Sequence, residues 1–115
     1  MAGLILACDF GGTKLSAAVL GAESLDRSDV AWRGHLRRFA PPGASAQTDI
    51  EMMVAMGREL LAGERPSHIG ISFGGPVDYK SGVVRLSHHV PGWENVPIQQ
   101  LFVEAFGAPV GVDND

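Results

Sequence analysis

Three short clusters bring together residue types that chemistry needs. They are Asp9-Phe10-Gly11-Gly12-Thr13-Lys14, Gly74-Gly75-Pro76 and Asp113-Asn114-Asp115, and each follows an apolar run. In the first, Gly11 and Gly12 let backbone N–H groups approach an anion, and Thr13 and Lys14 add donors suited to phosphate. Asp9 could hold a hydrated Mg²⁺, a cation that takes few carboxylates and keeps several waters. The spacing is neither a dinucleotide-binding G-x-G-x-x-G nor a Walker A loop. The plain alternative is a tight hairpin turn beside an incidental Asp. Gly74-Gly75-Pro76 reads either as a turn or as a close backbone approach to a small ligand. The third cluster offers a carboxylate as general base and an amide to bind hydroxyls, or else a helix N-cap. His88-His89 invites a metal-pair reading, but adjacent residues on an extended chain face opposite ways, which favours a polar pair lining or bordering a cleft. Trp93 reads as core or cleft wall, Cys8 as a small buried hydrophobe, and the Met52, Met53 and Met56 cluster as helix packing.

The elements that must position these clusters follow from pattern. Leu4–Cys8 is a buried strand ending at Asp9, and Leu15–Leu20 returns as its hairpin partner, closed by Gly21. Val30–Phe39 alternates loosely and carries Arg33, His35, Arg37 and Arg38, as a more exposed antiparallel strand would. Thr48 and Glu51 match a capping box opening a helix through Leu61, with Gly63 and Pro66 as the stop. His68–Phe73 is the next strand, with a short one possible at Gly82–Leu86. Pro97 takes the first position of a second helix whose stripe is Ile98, Leu101, Phe102, Ala105 and Phe106. Gly107 ends it, and Pro109–Val112 begins a further strand. Two strands each preceded by a helix imply parallel pairing. The expected fold is a mixed α/β sheet: a three-strand antiparallel meander, then helix–strand units, with helices on the faces. Ligands bind such sheets at the carboxyl ends of the strands, where all three clusters fall.

Composition removes whole classes of function. The 115 residues fit one domain, with 45% apolar content for a core and no repeat or low-complexity tract. The formal charge of -4, pI of about 5.4 and mean hydropathy of +0.10 argue against a nucleic-acid backbone binder and against disorder. No apolar run approaches the ~18 residues of a membrane span, and no signal peptide is visible. A single cysteine fits a reducing, cytoplasmic setting.

Taken together and in order, four segments resemble the ROK family of sugar kinases and sugar-responsive repressors, within the actin/hexokinase/Hsp70 ATPase superfamily. They are Asp9–Lys14, Gly70–Asp78, Pro91–Pro97 and Val112–Asp115, and the similarity is weakest between about Glu23 and Glu64. The resemblance implies a ribonuclease H-like (actin-like ATPase) lobe. It implies ATP-dependent phosphorylation of a glucose-like hexose or an N-acylated hexosamine. On that basis Asp115 falls on the catalytic base and Asn114 on the residue that binds neighbouring sugar hydroxyls. Gly75 matches a backbone contact to the sugar, and His88 could reach it. Asp9, Gly11, Gly12, Thr13 and Lys14 match the first phosphate motif, around ATP and a Mg²⁺ held by Asp9 through water. Gly74 stands where many members have Pro, and His88-His89 where many have Thr or Asn. A second lobe, with the adenine site and in many members a structural zinc, lies outside these 115 residues. The chain is therefore expected to be an amino-terminal lobe over residues 1–115, a poor enzyme alone, and prone to self-association through a bare interlobe face. Strand one begins near Leu4, which leaves no room ahead of it for the winged helix of a repressor. A lobe that binds sugar without turnover is the other reading.

Overall fold

The computed structural model describes residues 3–22, 32–87 and 90–114. Asp115, His88, His89 and the start of the expected third strand at Val30 and Ala31 lie outside them. Strands β1 (Leu4–Phe10) and β2 (Lys14–Gly21) form a hairpin, and β3 (Trp32–Phe39) follows. Helix α1 (Ala46–Leu61) leads to β4 (His68–Phe73), then to a two-residue pair, β5 (Val77–Asp78) and β6 (Val83–Val84). Helix α2 (Ile98–Phe106) leads to β7 (Val110–Asn114). The main sheet runs β3-β2-β1-β4-β7. Its β1–β2 and β2–β3 pairs are antiparallel, and its β1–β4 and β4–β7 pairs are parallel. The meander and the two parallel additions are those expected from the helix–strand order.

Side chains alternate across the sheet, so each strand has a core side and an open side. Leu6, Cys8 and Phe10 of β1, Leu15, Ala17 and Val19 of β2, and Ile69, Ile71 and Phe73 of β4 are buried together. Both helices cover this side. A Cβ placed on Gly57 of α1 would lie 2.9 Å from Leu6 and 3.0 Å from Phe106 of α2, so both elements touch there. The expected helix cover is thus met on one face. On the other face, Ala7, Ala18, Gly70 and Gly111 floor a trough of about 740 Å³ that no described element covers.

Helix α1 begins earlier than the Thr48 capping box predicts. Ser45 is the N-cap, its Oγ accepting from the Thr48 N–H at 3.5 Å. Both residues are competent caps; the earlier one prevails because Ala46 N–H then reaches Pro91 O at 2.9 Å, a tertiary contact invisible in local sequence. The helix closes on Ala62, left-handed at φ 50, one residue before the expected Gly63 stop. Pro97 is the N-cap of α2 and not its first helical residue, its carbonyl accepting from Leu101 N–H at 3.1 Å. The strand expected at Gly82–Leu86 shortens to Val83–Val84, paired with β5.

The early start of α1 places Asp49 in its first turn at 1% exposure, where Oδ1 has no hydrogen-bond partner among the described residues. Burial raises its pKa above the usual carboxylate value. The folded-state value exceeds the unfolded one, so this group's contribution is full below the unfolded pKa and is lost as pH rises through the folded pKa. Asp49→Asn is therefore expected to raise the urea midpoint more at pH 7 than at pH 3. An equal shift at both pH values contradicts this account.

Candidate functional site

The register of the sheet decides which candidates meet. Asp9 on β1 pairs with Ser16 on β2 and Ser72 on β4, and Ser72 pairs with Asp113 on β7. One position on, Phe10 pairs with Leu15 and Phe73, and Phe73 pairs with Asn114. Strands β1, β4 and β7 are parallel neighbours, so all three clusters leave the same edge of the sheet. Of the expected site residues, Asp9, Gly11, Gly12, Thr13, Lys14, Gly75 and Asn114 gather at that edge. Asp115 and His88 are outside the described residues.

Beneath that edge lies an aromatic floor. Phe10, the last residue of β1, meets Trp93 edge-on at 5.5 Å and Phe102 of α2 at 6.1 Å between ring centroids. Phe73, the last residue of β4, lies 4.6 Å from Trp93. All four rings are buried, so Trp93 belongs to the core and not to the cleft wall. Two glycine loops therefore spring from one rigid footing.

The first loop departs from expectation in one respect. Gly11 N–H donates to Lys14 O at 2.9 Å, so this amide closes the turn and is not free for an anion. Neither Gly11 nor Gly12 takes a left-handed φ. Gly11 is required for closeness instead, since a Cβ there would sit 3.0 Å from Lys14 O. Gly12 and Thr13 N–H make no backbone hydrogen bond among the described residues and remain available. Thr13 O accepts from Ala40 N–H at 2.9 Å, which ties the loop to the end of β3. A pocket of about 260 Å³ lies here, lined by Asp9, residues 11–14, Ser16 and Arg37. Sequence reading treated Arg37 only as a charge on an exposed strand. The signal that places it in the pocket is its pairing with Ser16, which itself pairs with Asp9.

Gly75 is also a close-approach residue: a Cβ would lie 3.0 Å from Leu86 O and 3.1 Å from Phe73. Its loop is braced on both sides. Gly74 N–H donates to Phe10 O at 3.1 Å, and Arg85 N–H to Pro76 O at 3.0 Å. The Arg85 guanidinium then bridges Asp78 and Asn95, at 3.2 Å each. The Ser81 hydroxyl and N–H, then the Lys80 N–H and Arg85, hold the Asp78 carboxyl below its ordinary pKa. On β7, Asp113 and Asn114 are exposed, and Asn114 N–H donates to Asp113 Oδ1 at 2.8 Å. Burial pushes the Cys8 thiol up to about 12, so it stays protonated and inert beside Asp9.

Among the described residues no three His, Cys, Asp or Glu side chains are placed to hold a metal ion. Asp9 is exposed at a strand end beside the glycine loop, a donor set that suits a mostly hydrated Mg²⁺ and not a closed zinc site. No described helix is long and apolar enough to cross a membrane.

This arrangement, a mixed sheet with a short glycine loop and polar strand ends at one edge, is that of the actin-like ATPase fold. The ROK family model matches residues 5–115, and the chain belongs to that family. A glucokinase of Thermotoga maritima is 35% identical over 57 residues, which are 50% of this chain and 18% of that protein. The ROK hexokinase of Thermus thermophilus superposes with a TM-score of 0.73 at 27% identity, over 96% of this chain and 35% of that one. A ROK glucokinase of Streptomyces griseus, in complex with glucose and AMPPNP, gives 0.75 at 25% identity, over 97% and 33%. The chain thus spans about a third of the solved structures it matches.

Proposed function

We propose that the protein carrying this chain transfers the terminal phosphoryl group of ATP to a hydroxyl of a hexose or N-acylated hexosamine, with this chain as the amino-terminal lobe. The observation that carries the reading is the convergence of the three clusters on one edge of the sheet, in a family whose named relatives include glucokinases. Phosphoryl transfer asks a protein mainly for positioning and charge neutralisation, and few side chains suffice.

In this reading Asp115 takes the proton of the attacking sugar hydroxyl, since a carboxylate only accepts. Asn114 can both donate and accept, which suits the neighbouring hydroxyls. Gly75 presents backbone to the sugar, and His88 is a further sugar contact. Gly12 and Thr13 N–H, the Thr13 hydroxyl and Lys14 hold the donor's phosphates, while Gly11 shapes their loop. Asp9 would hold Mg²⁺ through water, and when bound that ion neutralises phosphate charge. Adenine contacts, and any structural zinc, belong to a second lobe. The isolated 115-residue chain self-associates through its bare surfaces, the open sheet face among them, and light scattering is expected to show oligomers; a clean monomer at high concentration contradicts this.

Ligand that binds the native state raises its melting temperature. In the complete gene product, one or more of glucose, mannose, fructose and N-acetylmannosamine is expected to do so. Gly75→Val should abolish that shift, because its side chain collides with Leu86 O and Phe73. A protein indifferent to every sugar would overturn the substrate class.

A further inference from the structure

Strand β3 carries three arginines, and their fates differ. Arg38 lies on the helix side and pairs with Glu59 of α1 at 2.7 Å. Arg33 pairs with Glu64 at 2.8 Å. Arg37 is exposed and has neither an ion pair nor a side-chain hydrogen bond among the described residues. Its register opposite Ser16, itself opposite Asp9, puts it on the open side, about 10 Å from the Asp9 backbone at the usual strand spacing. The two residues line the same 260 Å³ pocket from opposite sides.

The charge in that pocket is unbalanced. Lys14 and Arg37 bring two cations, Asp9 one carboxylate, and the Gly12 and Thr13 N–H groups are uncommitted among the described residues. Such a pocket, positive on balance and rich in donors, takes an anion. A guanidinium fork matches two oxygens of one phosphate, which an ammonium cannot do.

We propose that Arg37 binds the phosphate chain of the phosphoryl donor, opposite Asp9 and beyond the glycine loop that the sequence motif defines. The assignment rests on the phosphoryl-transfer reading above. Its ligand chemistry is a chain of linked phosphates, nucleotide-borne or inorganic.

The test titrates the complete gene product with inorganic tripolyphosphate and, separately, with ATP, as wild type, Arg37→Ala, Arg37→Lys and Arg38→Ala. Arg37→Ala should weaken both ligands by about tenfold or more, the scale of a lost charge-assisted hydrogen bond. The donor KM should rise in step while the sugar KM stays fixed. Arg37→Lys should recover part of the loss. Arg38→Ala, on the same strand but facing α1, should leave both affinities unchanged. Because Arg37 is exposed and has no partner among the described residues, its variants should melt within about 2 °C of wild type. Unchanged tripolyphosphate binding in Arg37→Ala, no binding by the wild type, an equal loss in Arg38→Ala, or a loss confined to ATP would each overturn the assignment. Arg37-dependent tripolyphosphate binding in a protein that phosphorylates no sugar would retain this site and remove the kinase reading. Sugar turnover indifferent to Arg37 would do the reverse.

Discussion

Asp115→Asn is expected to lower kcat for sugar phosphorylation in the complete gene product by about a thousandfold, within the usual range for losing a general base. The sugar KM should move no more than about threefold, because asparagine keeps the size and much of the hydrogen bonding of aspartate. It cannot take the proton. Asp113, two residues earlier in the sequence and on β7, supplies the internal control. Its Oδ1 already accepts from the Asn114 N–H at 2.8 Å, and its Cα pairs with Ser72. Asp113→Asn should therefore reduce kcat far less. Steady-state kinetics on the two variants decides between them, and a larger loss at Asp113 would move the base to that residue.

Trp93→Ala is expected to cost about 3–5 kcal/mol of folding stability, the range for deleting a large buried aromatic. The indole is 1% exposed and touches Phe10 at 5.5 Å and Phe73 at 4.6 Å between centroids. A domain of ordinary stability has only about 5–15 kcal/mol to lose. These two phenylalanines end β1 and β4, immediately before the two glycine loops, so the substitution loosens both loops at once. Trp93→Phe should restore part of the loss. Urea unfolding followed by circular dichroism measures it, and a cost under about 1 kcal/mol would show that the Pro91–Pro97 turn is not anchored in the core.

The parts of this fold that could be read from sequence are those set by local pattern. The apolar run His68–Phe73 is a strand with those bounds, and the Ile98–Phe106 stripe is a helix with its buried face at Ile98, Phe102 and Phe106. Chain order implied that strands added through helices lie parallel, and the clusters gather because β1, β4 and β7 are also neighbours in the sheet. What escaped depends on contacts distant in sequence. Ser45 displaced Thr48 as the cap because of Pro91, more than 40 residues on. β5 is two residues long and exists only as the partner of β6. The same holds at the site. Gly11 reads as an anion donor in its motif, yet Lys14 O takes its N–H. Arg37 reads as a solvated charge until the register of β3 on β2 sets it in one pocket with the glycine loop.

In the function proposed above, this sheet edge serves phosphoryl transfer to a sugar. The most direct measurement is ADP release coupled to identification of the sugar phosphate, with ATP, Mg²⁺ and a panel of hexoses and N-acylhexosamines. The complete gene product should release one ADP per sugar phosphorylated, and the 115-residue chain alone should be silent. No turnover on any sugar, in a preparation that still binds one, would contradict the claim and leave a sugar-sensing lobe in its place.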